Sequence, residues 1–160
     1  MIVLPMAGRS RRFISAGYTK PKFMLEAHGR TVFEHVVSSF EAYFDTEPFL
    51  FVALREDNVD GFIAEKCQRL GLRAGMVKVA LLDAPTQGQA ETLAKGLEAA
   101  AVDDGEPLTV FNIDTIRPGF RYPSSFALAD TDGYLEVFRA DGDGWSFVEP
   151  EPGVADFAVR

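Results

Sequence analysis

The chain has 160 residues, 47% of them hydrophobic, with 14 Phe and a net charge of −8. That is enough for one domain with a sizeable core, and the acidic balance argues against a broad surface for nucleic acid or an anionic membrane. Cys67 is the lone cysteine, which excludes an intramolecular disulfide and fits a reducing compartment; with no signal-peptide pattern and no membrane-length apolar stretch, the expected location is cytoplasmic.

Met1–Met6 reads as a buried strand broken at Gly8, followed by a loop over 9–21 with a short helical turn near Arg11–Ser15. Thr31-Val-Phe-Glu34 has capping-box spacing. Val32, Phe33, Val36, Val37, Phe40 and Phe44 then keep a helical period, which predicts a helix to about residue 44. Phe49–Leu54 is a second buried strand, and Asp57–Leu70 a helix with Phe62, Ile63 and Leu70 inward and Gly71 as its stop. Met76–Leu82 is a third strand. Thr86-Gln-Gly-Gln89 repeats the capping-box spacing and opens an Ala-rich helix to about Ala101. Asp103-Asp-Gly105 is a turn, Leu108–Ile113 a fourth buried strand, and 133–139 with 145–149 a hairpin about the Asp141–Gly144 turn. Strand and helix alternate three times before that hairpin, which predicts an α/β fold with a mostly parallel sheet and helices on both faces. In such sheets ligands bind outside the carboxyl ends of the strands. Three loops meet there: the basic loop after the first strand, the Leu82–Gln89 loop, and the Asn112-Ile-Asp114-Thr115 strand end.

The basic loop carries the strongest signal. Residues 1–30 hold Arg9, Arg11, Arg12, Lys20, Lys22 and Arg30 against Glu26 alone, a net +5, so residues 31–160 sum to −13. A solvated charged surface accounts for most Arg-rich loops. Here the charges follow a buried strand and the Ala7-Gly8 turn, where backbone N–H groups approach a ligand closely. A cationic patch on an anionic protein points to a bounded polyanion, most simply a nucleotide's phosphates. The loop is neither a P-loop, since no G-K-[ST] follows, nor the dinucleotide fingerprint. At Asp114 a turn or cap and a metal ligand stay open from position alone; the phosphate loop on the same edge favours Mg²⁺ shared with phosphate oxygens. In Gln87-Gly88-Gln89, helix capping by Thr86 explains the residues, while Gly88 would also let a base lie against the backbone. His28 and His35 have no partner at zinc spacing.

Leu4-Pro-Met-Ala-Gly8-Arg-Ser-Arg-Arg12-Phe13 followed by Pro21-Lys22 resembles the opening pattern L-x-x-A-G-x-G-[ST]-R-F … P-K of the sugar-1-phosphate nucleotidylyltransferases, the nucleoside-diphosphate-sugar pyrophosphorylases. The segment from Gly29-Arg30, the Thr86–Thr92 loop and Phe111-Asn-Ile-Asp114-Thr115 are similar to the family's next helix, base-contacting loop and metal-binding strand end. The resemblance implies a three-layer Rossmann-like nucleotidyltransferase fold. It also implies Mg²⁺-dependent joining of an NTP and a sugar or polyol phosphate into an NDP-sugar and pyrophosphate, in polysaccharide precursor synthesis. Arg12 and Lys22 would be catalytic, on the leaving phosphates and at the α-phosphorus. Ala7, Gly8, Arg9, Ser10, Arg11, Gln87 and Gly88, with Gln89 as an alternative to Gln87, would hold the nucleotide, and Asp114 the metal. The implied partners are these small molecules and neither nucleic acid nor membrane; a homo-oligomer stays open. Ser10 and Arg11 depart from the pattern's second glycine and Ser/Thr, and Val159-Arg160 from its Glu-Lys pair. The chain is expected to be a single nucleotidyltransferase domain over 1–160, shorter than the family at its C terminus. The competing expectations are a non-catalytic nucleotide-binding module and a transferase with another acceptor, a phospho-alcohol or a molybdenum cofactor precursor.

Overall fold

The computed structural model describes residues 1–9, 11–124, 131–142 and 148. Met1–Arg121 form one compact unit and Tyr122–Arg160 a second. The first is built on four parallel strands: β1 (Ile2–Pro5), β4 (Phe49–Leu54), β5 (Val77–Leu82) and β6 (Thr109–Val110), ordered β5-β4-β1-β6. Between β1 and β4 a small antiparallel pair intervenes, β2 (Glu26–Ala27) with β3 (Arg30–Thr31). Its two-residue turn holds His28 at φ 52° and Gly29 at φ 76°, the positive values that a tight hairpin of the I′ kind needs.

Every residue of β4 is buried, as a central parallel strand covered on both faces must be. Alternate side chains serve opposite faces. Val3, Leu50, Val52, Leu54, Ala80 and Leu82 form one core with Leu93 and Leu97 of helix α4 (Gln89–Ala99). On the other face Phe33, from α2 (Val32–Val37), packs 5.1 Å from Phe51 in a tilted arrangement and 5.4 Å from Phe62 of α3 (Asp60–Leu70) edge-on. The sheet is thus the middle of three layers. The chain steps from β1 outward to β4 and β5, then returns across β1 to β6, so the order reverses between β1 and β6. Among the described residues no helix is long and apolar enough to cross a membrane.

Several predicted elements are placed differently. The helix expected from Thr31 to about residue 44 is α-helical only to Val37. It goes on as 3₁₀ turns over Ser38–Tyr43, with Phe40 at φ −104°, ψ 18°. Ser38 Oγ donates to the Glu34 carbonyl at 2.7 Å and Arg30 donates to the same oxygen at 3.3 Å, so side chains compete for helix acceptors. The bend lets Phe40 pack 4.8 Å from Phe111 and 5.1 Å from Phe120. The Asp57–Leu70 helix starts at Asp60, because Asn58 is left-handed at φ 50° and closes a separate turn; Gly71, at φ 85°, ends it as expected. The fourth strand keeps only Thr109–Val110 of the expected 108–113, although the Phe111 N–H still reaches the Val3 carbonyl at 2.9 Å.

The second predicted capping box does not form. Helix α4 begins at Gln89 with Gly88 as its N-cap, and the Thr86 hydroxyl donates instead to the Gly88 carbonyl at 3.1 Å. In the second unit no strand is assigned over the described residues 131–142, where the first half of the hairpin was expected. Tyr134, Leu135 and Phe138 are exposed there. The second half, 145–149, lies outside the described residues except for Val148.

Candidate active site

A cleft of about 840 Å³ opens at the carboxyl edge of the sheet, beside the reversal of strand order between β1 and β6. Its walls come from Pro5 at the end of β1 with Ala7–Arg9 behind it, Pro85–Gly88 with Gln89 and Thr92 of α4, and Asn112–Asp114 after β6, with Lys22 from the intervening turn. Its volume suits a small-molecule ligand. Gly8 and Gly88 both line the cleft, and a Cβ built on either meets no atom within 4 Å. Neither has a left-handed φ; Gly88 is fully extended at φ 175°, ψ −178°. Backbone strain and protein packing therefore give no reason for glycine at either position. What a side chain would fill there is cleft.

Lys22 starts a 3₁₀ turn, Lys22–Met24, anchored by Phe23, which is 1% exposed and packs 6.1 Å from Phe62. That anchor sends the Lys22 ammonium across the cleft to Asp114, Nζ to Oδ2 2.6 Å. Asp114 is positioned by buried Ile113 and by a turn in which the Thr115 N–H reaches the Asn112 carbonyl at 3.2 Å. With side chains 24% and 53% exposed, the pair adds at most about 1 kcal/mol of stability. The pair brings a cation and a carboxylate from two different loops together in the cleft.

The third wall is tightly hydrogen-bonded. The Thr92 hydroxyl, on a residue 3% exposed, lies 3.0 Å from the Gly88 carbonyl oxygen and 2.5 Å from the Thr86 hydroxyl. Glu91 accepts from the Gln87 N–H at 2.6 Å and pairs with Lys95 at 2.6 Å. The Lys95 bond, and then the Gln87 N–H, hold the Glu91 carboxyl below its ordinary range. Gln89 Nε2 donates across the cleft to Asn112 Oδ1 at 2.5 Å.

Of the residues singled out from sequence, Ala7, Gly8, Arg9, Lys22, Gln87, Gly88, Gln89 and Asp114 line this one cleft. Arg12 does not; it is exposed on the short helix α1 (Arg11–Ser15). Ser10 and the Arg11 side chain lie outside the described residues. Asn112, Glu91 and Thr92 were not anticipated. Asn112 had a signal, since it is in the same strand-end motif as Asp114. His35 is structural: its Nε2 lies 2.8 Å from the Ala27 carbonyl oxygen. Among the described residues no three His, Cys, Asp or Glu side chains converge. Among the described residues Asp114 is the one carboxylate in the cleft lining, the donor type that hard divalent ions take.

The family model of the MobA-like NTP transferase domain matches residues 2–126. The chain belongs to that family. Every cleft residue of this NTP transferase domain lies within the matched span. The domain is also similar to the crystal structure of the nucleoside-diphosphate-sugar pyrophosphorylase from Vibrio cholerae RC9, at 50% identity and a TM-score of 0.85. That similarity covers 96% of this chain and 62% of the other, so the chain spans less than two thirds of that protein's length. No curated protein matches the sequence. The NTP transferase domain thus has the α/β nucleotidyltransferase fold with a parallel central sheet.

Proposed function

We propose that this domain is a Mg²⁺-dependent nucleotidyltransferase that joins an NTP to a sugar or polyol phosphate, giving an NDP-sugar and pyrophosphate for polysaccharide precursors in the cytoplasm. The observation that carries the reading is the meeting of Lys22 and Asp114, 2.6 Å apart, in a cleft walled by Gly8 and Gly88. The similarity to a protein described as a nucleoside-diphosphate-sugar pyrophosphorylase supports the acceptor class.

In the reaction an oxygen of the acceptor phosphate attacks the α-phosphorus of the NTP. The bond from that phosphorus to the bridging oxygen breaks, and the electron pair leaves with pyrophosphate. No protein nucleophile is needed; positioning and charge neutralisation carry the step. Lys22 would set its ammonium beside the α-phosphate, and Gly8 and Arg9 would receive the phosphate chain. Gln87 and Gly88 would take the base. Lys22 and Asp114 neutralise each other at 2.6 Å; a triphosphate paired with Lys22 would leave the Asp114 carboxylate to hold the ion. The ion, when bound, neutralises charge on phosphate oxygens. Arg12 stands outside the cleft, so its contribution to the leaving phosphates requires α1 to turn inward on nucleotide binding.

Thermal unfolding with ATP, GTP, CTP, UTP and dTTP, with and without Mg²⁺, tests the first half. A ligand at a hundredfold excess over Kd stabilises by about 2.7 kcal/mol, and one base is expected to give a Mg²⁺-dependent shift. Pyrophosphate release with a panel of sugar phosphates tests the second. Arg12→Ala and Lys22→Ala are expected to abolish release with little change in Tm. Wild-type rates in either variant would overturn the assignment, and nucleotide binding without release would leave a nucleotide-binding module.

A further inference from the structure

Residues 87–89 form one wall of the cleft, yet a base-reading wall is selective only if it keeps its shape while empty. Most of a loop's backbone donors face water; the N–H of Gln87 does not. It is held at 2.6 Å by the Glu91 carboxylate, four residues on and in the first turn of α4. That carboxylate is in turn fixed at 2.6 Å by Lys95, one further turn along. Gly88 is the N-cap, so Glu91 occupies the helix position from which a capping-box Glu normally reaches back to the N-cap N–H. Here it reaches one residue further, to Gln87, and so braces the segment that lines the cleft rather than the helix end itself. Glu91 does not line the cleft; it can act on a ligand only through Gln87 and Gly88.

We propose that Glu91, braced by Lys95, is a positioning residue that holds Gln87 and Gly88 in the shape that discriminates between nucleotide bases. This rests on the reading of 87–88 as the base wall given above. The phosphate wall, at Gly8, Arg9 and Lys22, is built from other elements and does not depend on the brace. Loss of Glu91 therefore separates base recognition from phosphate recognition.

The test measures dissociation constants for ATP, GTP, CTP, UTP, dTTP and inorganic tripolyphosphate, all with Mg²⁺, in the wild type and in Glu91→Ala, Glu91→Gln and Lys95→Met. Tripolyphosphate has no base and reports the phosphate wall alone. In Glu91→Ala the preference for the best nucleotide over the others is expected to fall about tenfold, the scale of one lost hydrogen bond to a charged acceptor, with tripolyphosphate affinity within twofold of wild type. Glu91→Gln keeps an acceptor oxygen and restores most of the preference. Lys95→Met leaves the loop contact in place and gives a smaller loss of the same kind, which keeps the comparison open if Glu91→Ala folds poorly. Equal weakening of nucleotides and tripolyphosphate, or an unchanged preference in Glu91→Ala, would overturn the proposal. Failure of the wild type to bind either nucleotide or tripolyphosphate would overturn the site reading itself, a distinct result.

Discussion

At Gly96 the helix that carries the cleft wall lies directly against Val52 of the sheet. A Cβ added there overlaps Val52 Cγ2 and comes to 2.7 Å from Cγ1 and 3.1 Å from Cβ. Gly96→Ala sets two magnitudes against each other. In an exposed helix interior the change stabilises by about 0.8–1 kcal/mol. Overpacking a well-filled core costs typically about 1–3 kcal/mol, and this site belongs at the upper end. Val52 is 0% exposed, sits mid-strand in register with Pro5 and Ala80, and is β-branched, so it has no free rotamer into which to retreat. The expected net is a loss of about 1–2 kcal/mol, or roughly 2–8 °C in Tm for a chain of this size. The same strain lifts α4 from the sheet and displaces Gln89 and Gly88 at its start, so nucleotide affinity should fall together with Tm. Thermal unfolding and nucleotide titration of Gly96→Ala, Val52→Ala and the double variant decide it. The double variant should be more stable than the sum of the single losses, since each relieves the other. A Gly96→Ala protein that melts above wild type would refute the reasoning and show that propensity outweighs the contact.

Other expected outcomes follow from buried groups. Burial pushes the Cys67 thiol up to about 12, so the folded protein should resist thiol reagents at about pH 8, near the value at which a free cysteine begins to ionise; labelling should track denaturant-induced unfolding, and rapid labelling of the native protein would contradict the burial. For Glu34, burial pushes its carboxyl up, but the Thr31 N–H and hydroxyl, then Lys66 and Arg69, outweigh it and hold the group below the ordinary 4.5. A depressed carboxylate contributes stability that is present above the unfolded value and lost as pH falls through the folded one. Urea midpoints should therefore decline in acid from about 4.5 downward, and Glu34→Gln should flatten this part of the slope; an identical slope in the variant would assign the acid loss to other groups.

Much of the fold was legible because it rests on local pattern. Phe49–Leu54 is an unbroken apolar run and becomes the fully buried central strand. The Thr31/Glu34 capping box forms with both of its bonds, the Glu34 N–H to Thr31 Oγ1 at 3.2 Å and the Thr31 N–H to Glu34 Oε2 at 2.8 Å. The second box failed although its spacing was the same. At Gln89 the side chain has a better partner in Asn112, 23 residues away, and at Thr86 the hydroxyl is taken by Gly88 and Thr92. The bend at Phe40 was likewise invisible, since apolar periodicity registers which residues face the core but not whether Ser38 and Arg30 will claim a helix carbonyl.

The candidate site divides along the same line. Each cleft loop could be named because it follows an apolar run on the carboxyl edge of a parallel sheet, where backbone geometry alone gathers ligands. How the loops are wired could not be, because Lys22 and Asp114 are 92 residues apart and meet only through the order β4-β1-β6. The glycines show a further step. From sequence, Gly8 was a tight-turn residue; in the fold neither it nor Gly88 has a conformation that needs glycine, and neither has a neighbour that would exclude a methyl group. Gly96 is the reverse case, with its space already filled by Val52. Glycine demanded by the protein's own packing marks where helix meets sheet. At Gly8 and Gly88, which both line the cleft, an added side chain would meet no protein atom and would take up cleft volume instead.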